Sequence, residues 1–139
     1  MEKMGSITIV GGGIAGIQTA LDIANSGFKV HLVEEKPSVG GVMSQLDKTF
    51  PTNDCSSCMM GPKLVELANH PNIEILAYTE ILNVEGEAGH FQVTLKKKAR
   101  AVDPEKCVGC GICADKCPVK VSNPFNLGLD QRKAIYVPY

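Results

Sequence analysis

Three glycines, Gly11, Gly13 and Gly16, stand in the pattern G-x-G-x-x-G where a short apolar run gives way to a stretch of helical period. The run, SITIV from Ser6 to Val10, has the composition of a buried parallel strand. From Ile14 to Asn25 the apolar residues Ile14, Ile17, Leu21 and Ala24 recur at helical spacing, and Gly27 follows as a natural helix stop. FKVHLVE, Phe28 to Glu34, then reads as a second strand. Strand, helix and strand within about thirty residues make one βαβ unit.

Glycines in a turn occur for many reasons, so the pattern alone says little. Its context says more: an acid, Glu34, ends the next strand 18 residues after Gly16. In such a unit Gly11 permits the tight turn, Gly13 lets the backbone approach a pyrophosphate, and Gly16 allows helix to pack closely on strand. Ile14 and Ala15 open the helix, whose N-terminus offers N–H groups and a positive dipole end to phosphates. Glu34 is suited to accept hydrogen bonds from ribose hydroxyls, and its charge disfavours a 2′-phosphate, hence NADP. The competing reading is a glycine-rich turn with a solvated acid at a strand end. The βαβ unit does not choose between FAD and NAD. The continuation EEKPSVGG, with Glu35, Lys36 and Gly41, resembles the extension found in two-dinucleotide-binding flavoproteins, and that resemblance favours FAD.

Four of the six cysteines lie in DPEKCVGCGICADKCP. Cys107, Cys110, Cys113 and Cys117 follow C-x2-C-x2-C-x3-C-P, the bacterial ferredoxin run for a [4Fe-4S] cluster. Gly109 and Gly111 let backbone N–H groups turn toward the sulfurs. Zinc is the metal alternative, but zinc sites usually pair two C-x2-C knuckles across a longer gap. In two-cluster ferredoxins the fourth cysteine of each run ligates the other cluster, and this chain has one run. Either Cys117 closes the cluster locally or a second run lies elsewhere; the spacing leaves both open.

Cys55 and Cys58, in NDCSSCMMGPK, form C-x-x-C ahead of a helix expected over 62–69. A redox dithiol, two ligands of another metal centre and two unremarkable thiols all suit the spacing, and a helix N-terminus favours the first two by lowering a thiol's pKa. His31, His70 and His90 have no partners at ligand spacing and read as structural or exposed. Met43, Met59 and Met60 read as core filler, and the run Lys96 to Arg100 as a solvated strand edge.

The rest of the chain places these motifs. Residues 37–58 read as a long loop, NIEILAY (72–78) as a third strand, and 80–98 as an antiparallel hairpin about Gly86 and Gly89. The composition changes beyond Arg100, which sets a boundary between a dinucleotide-binding domain over 1–100 and an iron-sulfur segment over 101–139. With 139 residues, 44% apolar and 21% charged, the chain is expected to fold as one domain with a small appendage. A net charge of -1 gives no reason to expect nucleic acid, and no apolar run approaches the ~20 residues a bilayer requires. The N-terminus runs straight into a strand pattern without a signal peptide, so a cytoplasmic protein with reduced thiols is expected.

Taken together, VGGGIAGIQTALDIA, VHLVEEKPSVGGVMSQLDKTFPTNDCSSC, PKLVELANHPNIEIL, CVGCGICADKCP and GLDQRKAIYVPY resemble the A-subunit family of heterodisulfide reductase, iron-sulfur flavoproteins of methanogens and other anaerobes. The resemblance covers nearly the whole chain, and GGVMSQLDKTFPTNDCSSC is its most specific stretch. It implies a partial Rossmann-type FAD-binding domain of thioredoxin-reductase type, a βαβ unit with a β-hairpin, followed by a ferredoxin-like [4Fe-4S] segment. It also implies electron transfer between FAD and clusters in an electron-bifurcating complex, with Gly11, Gly13, Gly16 and Glu34 on the FAD and the four clustered cysteines on iron. A runner-up is a non-catalytic ferredoxin-like module that holds a cluster without flavin. Family members are much longer, so the resemblance implies an N-terminal portion or split subunit, completed by other subunits, by self-association or by the missing C-terminal half.

Overall fold

The computed structural model describes residues 5–138. The chain divides into two compact units, Met1–Lys98 and Ala99–Tyr139. The opening residues expected to run into the first strand lie partly outside the described residues, as does Tyr139, the last residue of the GLDQRKAIYVPY stretch.

The first unit is built on three parallel strands: β1 (Ser6–Val10), β2 (Lys29–Glu34) and β5 (Ile73–Ala77), in the order β1-β2-β5. The registers Val10↔Val33 and Glu34↔Ala77 bring the C-terminal ends of the strands level. Between β1 and β2 runs α1 (Ile14–Asn25), whose Ile17, Ala20, Leu21 and Ala24 are buried. Hydrogen bonds from Ser26 N–H to Asp22 O and from Gly27 N–H to Ala24 O close its last turn, and Gly27 takes the positive φ that ends it. A second helix, α2 (Ser56–Asn69), adds Met60 and Leu67 to the same core, against Val30 and Leu32 of β2. Fully burying each of these larger side chains is worth about 1.5–3 kcal/mol.

Two expectations are corrected here. β1 does not read as buried: Ile7 is exposed and Val10 is 68% exposed, because β1 is the edge of the three strands while β2 takes the centre. The second helix begins at Ser56, six residues before the expected start at Pro62. Pro62 lacks the N–H that would bond back to Cys58 O, a loss the helix tolerates because Met60 and Leu67 are buried on either side of it.

The long loop after β2 also has structure of its own. A 3-10 turn at Met43–Gln45 precedes a two-residue hairpin, β3 (Lys48–Thr49) with β4 (Asp54–Cys55), which leads directly into α2. The unit ends in the expected antiparallel hairpin, β6 (Thr79–Glu87) with β7 (His90–Lys97), bulged between Ile81 and Asn83.

The second unit holds a short helix, α3 (Ile112–Lys116), and an antiparallel pair, β8 (Lys120–Ser122) with β9 (Gln131–Lys133). The Arg132 guanidinium stacks 3.4 Å from the Tyr136 ring centroid, a cation–π contact that ties β9 to the segment after it. Among the described residues no helix is long and apolar enough to cross a membrane.

Candidate functional sites

In the first unit the site lies where β1, β2 and β5 end, the position at which open α/β sheets bind ligands. Gly11 N–H donates to Val33 O at 2.8 Å, turning the chain out of β1 in register with β2. Gly16 sits so close to that turn that a Cβ on it would stand 1.9 Å from Gly11 O. Gly41 of the EEKPSVGG stretch returns to the same place, since a Cβ there would lie 2.9 Å from Gly13 Cα. Gly13 differs: a Cβ on it would meet nothing within 4 Å. It is also the residue before α1, and as a glycine it gives the N–H groups of the first turn no side-chain cap. An open face over capless helical N–H groups fits the pyrophosphate of a dinucleotide. Ile14 and Ala15, the first two residues of α1, flank that opening; Ile14 also packs against the core.

Glu34 is placed differently from the simplest reading of it. Its side chain is 8% exposed, and both carboxylate oxygens have backbone partners: Gly12 N–H donates to Oε2 at 2.6 Å and Lys36 N–H to Oε1 at 2.8 Å. The acid therefore braces the glycine loop against the end of β2, and its remaining lone pairs are those left for a ribose. Lys36 O in turn accepts Tyr78 N–H at 2.9 Å. Glu35 is exposed and stands 3.7 Å from Lys98 Nζ, which pairs more closely with Glu80 and lies 5.4 Å from the Tyr78 ring centroid. The Glu80 hydrogen bond raises Lys98 above its ordinary pKa, helped by the charges of Glu80 and Glu35 and opposed by desolvation; Lys98 in turn lowers Glu80. Lys98 is thus an engaged member of a run expected to be solvated.

Sequence reasoning passed over Gly12, Tyr78 and Lys98. Gly12 is the glycine the motif does not require; a Cβ there would lie 2.7 Å from Val39 Cγ1 and 3.1 Å from Glu34 Oε2, so three consecutive glycines were its signal. Tyr78 and Lys98 carried none. Tyr78 holds a left-handed φ of 59°, uncommon for a tyrosine, and is fixed by Lys36 O and by Lys98 N–H on its own carbonyl. His31, by contrast, behaves as read: Nδ1 stands 3.0 Å from Glu74 Oε2 on the neighbouring strand. Met60 is core, whereas Met59 is 45% exposed.

Cys55 and Cys58 are joined by a disulfide across the start of α2. Cys55 is the residue before that helix, and its Sγ accepts Cys58 N–H at 3.2 Å.

In the second unit Cys107, Cys110 and Cys113 are exposed and Cys117 is buried. Gly109 and Gly111, the residues between the cysteines, have φ of 69° and 77°, a turn that side chains disfavour. Backbone hydrogen bonds, first with Ile135 and then with Val119 and Ala134, hold the Cys117 thiol below its ordinary pKa, with Lys133 adding a positive charge and desolvation opposing. Four thiols on glycine turns, one already surrounded by groups that stabilise a thiolate, fit an iron-sulfur cluster in donor chemistry. Among the described residues no three Cys, His, Asp or Glu side chains stand together as a metal-holding group.

Two family models match separate parts of the chain. Residues 6–57 match the FAD dependent oxidoreductase family, and residues 100–121 match the 4Fe-4S binding domain family. L-proline dehydrogenase from P. horikoshii shares the fold over 68% of this chain and 20% of its own, at 27% identity and a TM-score of 0.54. An FAD-dependent oxidoreductase segment joined to a 4Fe-4S segment defines an iron-sulfur flavoprotein, with FAD and a [4Fe-4S] cluster as its cofactors. The first iron-sulfur A-subunit of CoB–CoM heterodisulfide reductase from Methanopyrus kandleri is 55% identical over 139 residues, all of this chain and 21% of the relative. Its counterpart in Methanocaldococcus jannaschii is 58% identical over 134 residues, 96% of this chain and 20% of the relative. The chain is thus similar along its length to A-subunits of heterodisulfide reductase, and spans about a fifth of the length of these curated relatives.

Proposed function

We propose that this chain is the part of a heterodisulfide reductase A-subunit in which FAD hands electrons to, or takes them from, [4Fe-4S] clusters within an electron-bifurcating complex. The observation that carries the reading is the loop at the end of β1, open over Gly13 and tightly packed at Gly12, Gly16 and Gly41, in a chain that also bears the ferredoxin cysteine run. In this reading residues 1–100 are the dinucleotide domain and 101–139 the iron-sulfur segment. Gly11, Gly13, Ile14, Ala15 and Gly16 hold the pyrophosphate, while Glu34 accepts from ribose and keeps the loop in place. Glu35, Lys36 and Gly41 line the far side of the same site. Cys107, Cys110, Cys113 and Cys117 ligate iron. Bound FAD supplies one- and two-electron chemistry and a cluster one-electron carriage, so the protein's task is placement and tuning of potential.

The partners are the other subunits of a cytoplasmic heterodisulfide reductase-like complex, with no nucleic acid or membrane among them. The exposed edge of β1 supports a further contribution, because doubly wound sheets carry strands on both sides of their first strand. The remaining four-fifths of the relatives' length, or a second copy, is the source assigned to it.

Anoxic native mass spectrometry of the full chain, supplied with FAD, iron and sulfide, tests the reading. One FAD and four irons per chain are expected. A chain that takes a cluster but no flavin overturns electron transfer between the two and leaves a cluster carrier. A chain that takes neither overturns both assignments.

A further inference from the structure

We propose that Cys55 and Cys58 form a thiol–disulfide exchange site for dithiol substrates, in which Cys58 Sγ is the sulfur attacked and Cys55 Sγ departs as the thiolate. This assignment does not rest on the flavin or cluster readings.

The disulfide is poorly explained as a clamp. It links residues three apart, and cross-links across short loops constrain the unfolded chain least. The backbone it spans is also held independently of it. Cys55 pairs with Lys48 in the β3–β4 hairpin, Ser56 N–H donates to Asp47 O at 3.1 Å, and Ser56 is wholly buried at the start of α2. Opening the S–S bond therefore leaves the turn in place, which is what a reversible couple requires. Both cysteines are exposed, so a donor reaches them without unfolding. Two exposed apolar residues lie near the pair in the chain: Met59 follows Cys58 directly, and Phe50, in the turn between β3 and β4, is 95% exposed.

The two sulfurs are not equivalent. Cys55 Sγ accepts the Cys58 N–H and precedes the first turn of a 14-residue helix, so negative charge on it is stabilised by a hydrogen bond and a helix dipole. The better-stabilised thiolate is the better leaving group. A donor thiolate attacks Cys58 Sγ; the Cys55–Cys58 bond breaks and its electron pair leaves on Cys55. The donor's second thiol, once deprotonated, attacks the donor sulfur of the mixed disulfide and expels Cys58 as a thiolate. The donor ends as a disulfide, oxidised by two electrons. The protein pair is reduced by two, and the donor's two protons pass to the cysteines or to solvent.

The test equilibrates the full chain with reduced and oxidised dithiothreitol at varied ratios, quenches with acid, alkylates, and reads Cys55 and Cys58 by peptide mass spectrometry. The ratio of dithiol to disulfide at this pair is expected to rise tenfold for each tenfold rise in reduced over oxidised dithiothreitol. A pair that stays oxidised at every ratio overturns the proposal, as does one that stays reduced at the most oxidising ratio. Thiols that remain shielded from alkylation by bound iron after reduction also overturn it. The roles are read separately in single variants at mildly acidic pH: Cys55 in Cys58→Ser is expected to alkylate about tenfold faster than Cys58 in Cys55→Ser. Equal rates, or a faster Cys58, overturn the assignment of the leaving sulfur.

Discussion

The place a Cβ on Gly16 would occupy lies 1.9 Å from the carbonyl oxygen of Gly11, whereas the same construction on Gly13, three residues earlier, meets nothing within 4 Å. One glycine is required by the fold and the other by what the fold leaves open. Gly16→Ala must push helix from strand, at a cost of about 1–3 kcal/mol of the kind seen on overpacking a core. Gly13→Ala is expected to change stability by less than about 1 kcal/mol, mostly through the helix cap, while weakening FAD binding by crowding the pyrophosphate. Urea denaturation and a flavin titration of both variants separate the two effects. Equal stability losses at both positions would show that the loop is not built this way.

Glu34 gives the second prediction. A carboxylate satisfies Gly12 N–H and Lys36 N–H at once because both of its oxygens accept. A glutamine has one oxygen, so Glu34→Gln sets an amide N–H₂ against one of two backbone donors in a nearly closed site. The expected loss is about 1–3 kcal/mol of stability even without a dinucleotide. Thermal unfolding of the flavin-free variant checks it. A variant as stable as the parent would mean that Glu34 serves a ligand and does not brace the loop.

These two sites show which parts of the molecule were legible in the sequence. The span of α1 from Ile14 to Asn25 was, because its apolar period and terminal Gly27 are local signals. The cysteine run was too, because ligand spacing is itself a sequence property. Glu34 was legible as a candidate for the site, but its hold on Gly12, 22 residues away, depends on where the loop folds back. The start of α2 was misplaced because Pro62 is a strong local signal, overridden here by burial of Met60 and Leu67. The exposure of β1 follows from strand order, which apolar content does not encode. The groups around Cys117 come from Val119, Ala134 and Ile135 and meet only when the second unit folds.

The cluster assignment makes the third prediction. Serine oxygen is a poor substitute for a thiolate on iron, so Cys110→Ser is expected to lose the cluster from anoxically reconstituted chain. Iron and sulfide analysis, with loss of visible absorption, reports it. Iron content unchanged from the parent would remove Cys110 from the ligand set. The Cys55→Ser chain is expected to keep its iron, which distinguishes the run from the C-x-x-C pair.

Lys98 and Glu80 provide a pH dependence whose sign follows from their shifts. Glu80 is lowered in the folded chain, so it contributes stability above its ordinary value of 4.5 that is lost as pH falls through the folded value. Lys98 is raised, so its contribution is complete below its ordinary value of 10.5 and is lost as pH rises through the folded value. The coupling between them is therefore expected to be present across neutral pH and to vanish in strong acid, where Glu80 is neutral. Both groups are solvent-accessible, so added salt should shrink it. A double-mutant cycle of Glu80→Gln and Lys98→Met, run at neutral pH and again in acid, measures this directly. Lys98 also donates its backbone N–H to Tyr78 O at 2.8 Å, a contact the Met variant keeps. A coupling that persisted in acid would mean that the Lys98 stem, packed near the Tyr78 ring, does the holding, and that charge does not.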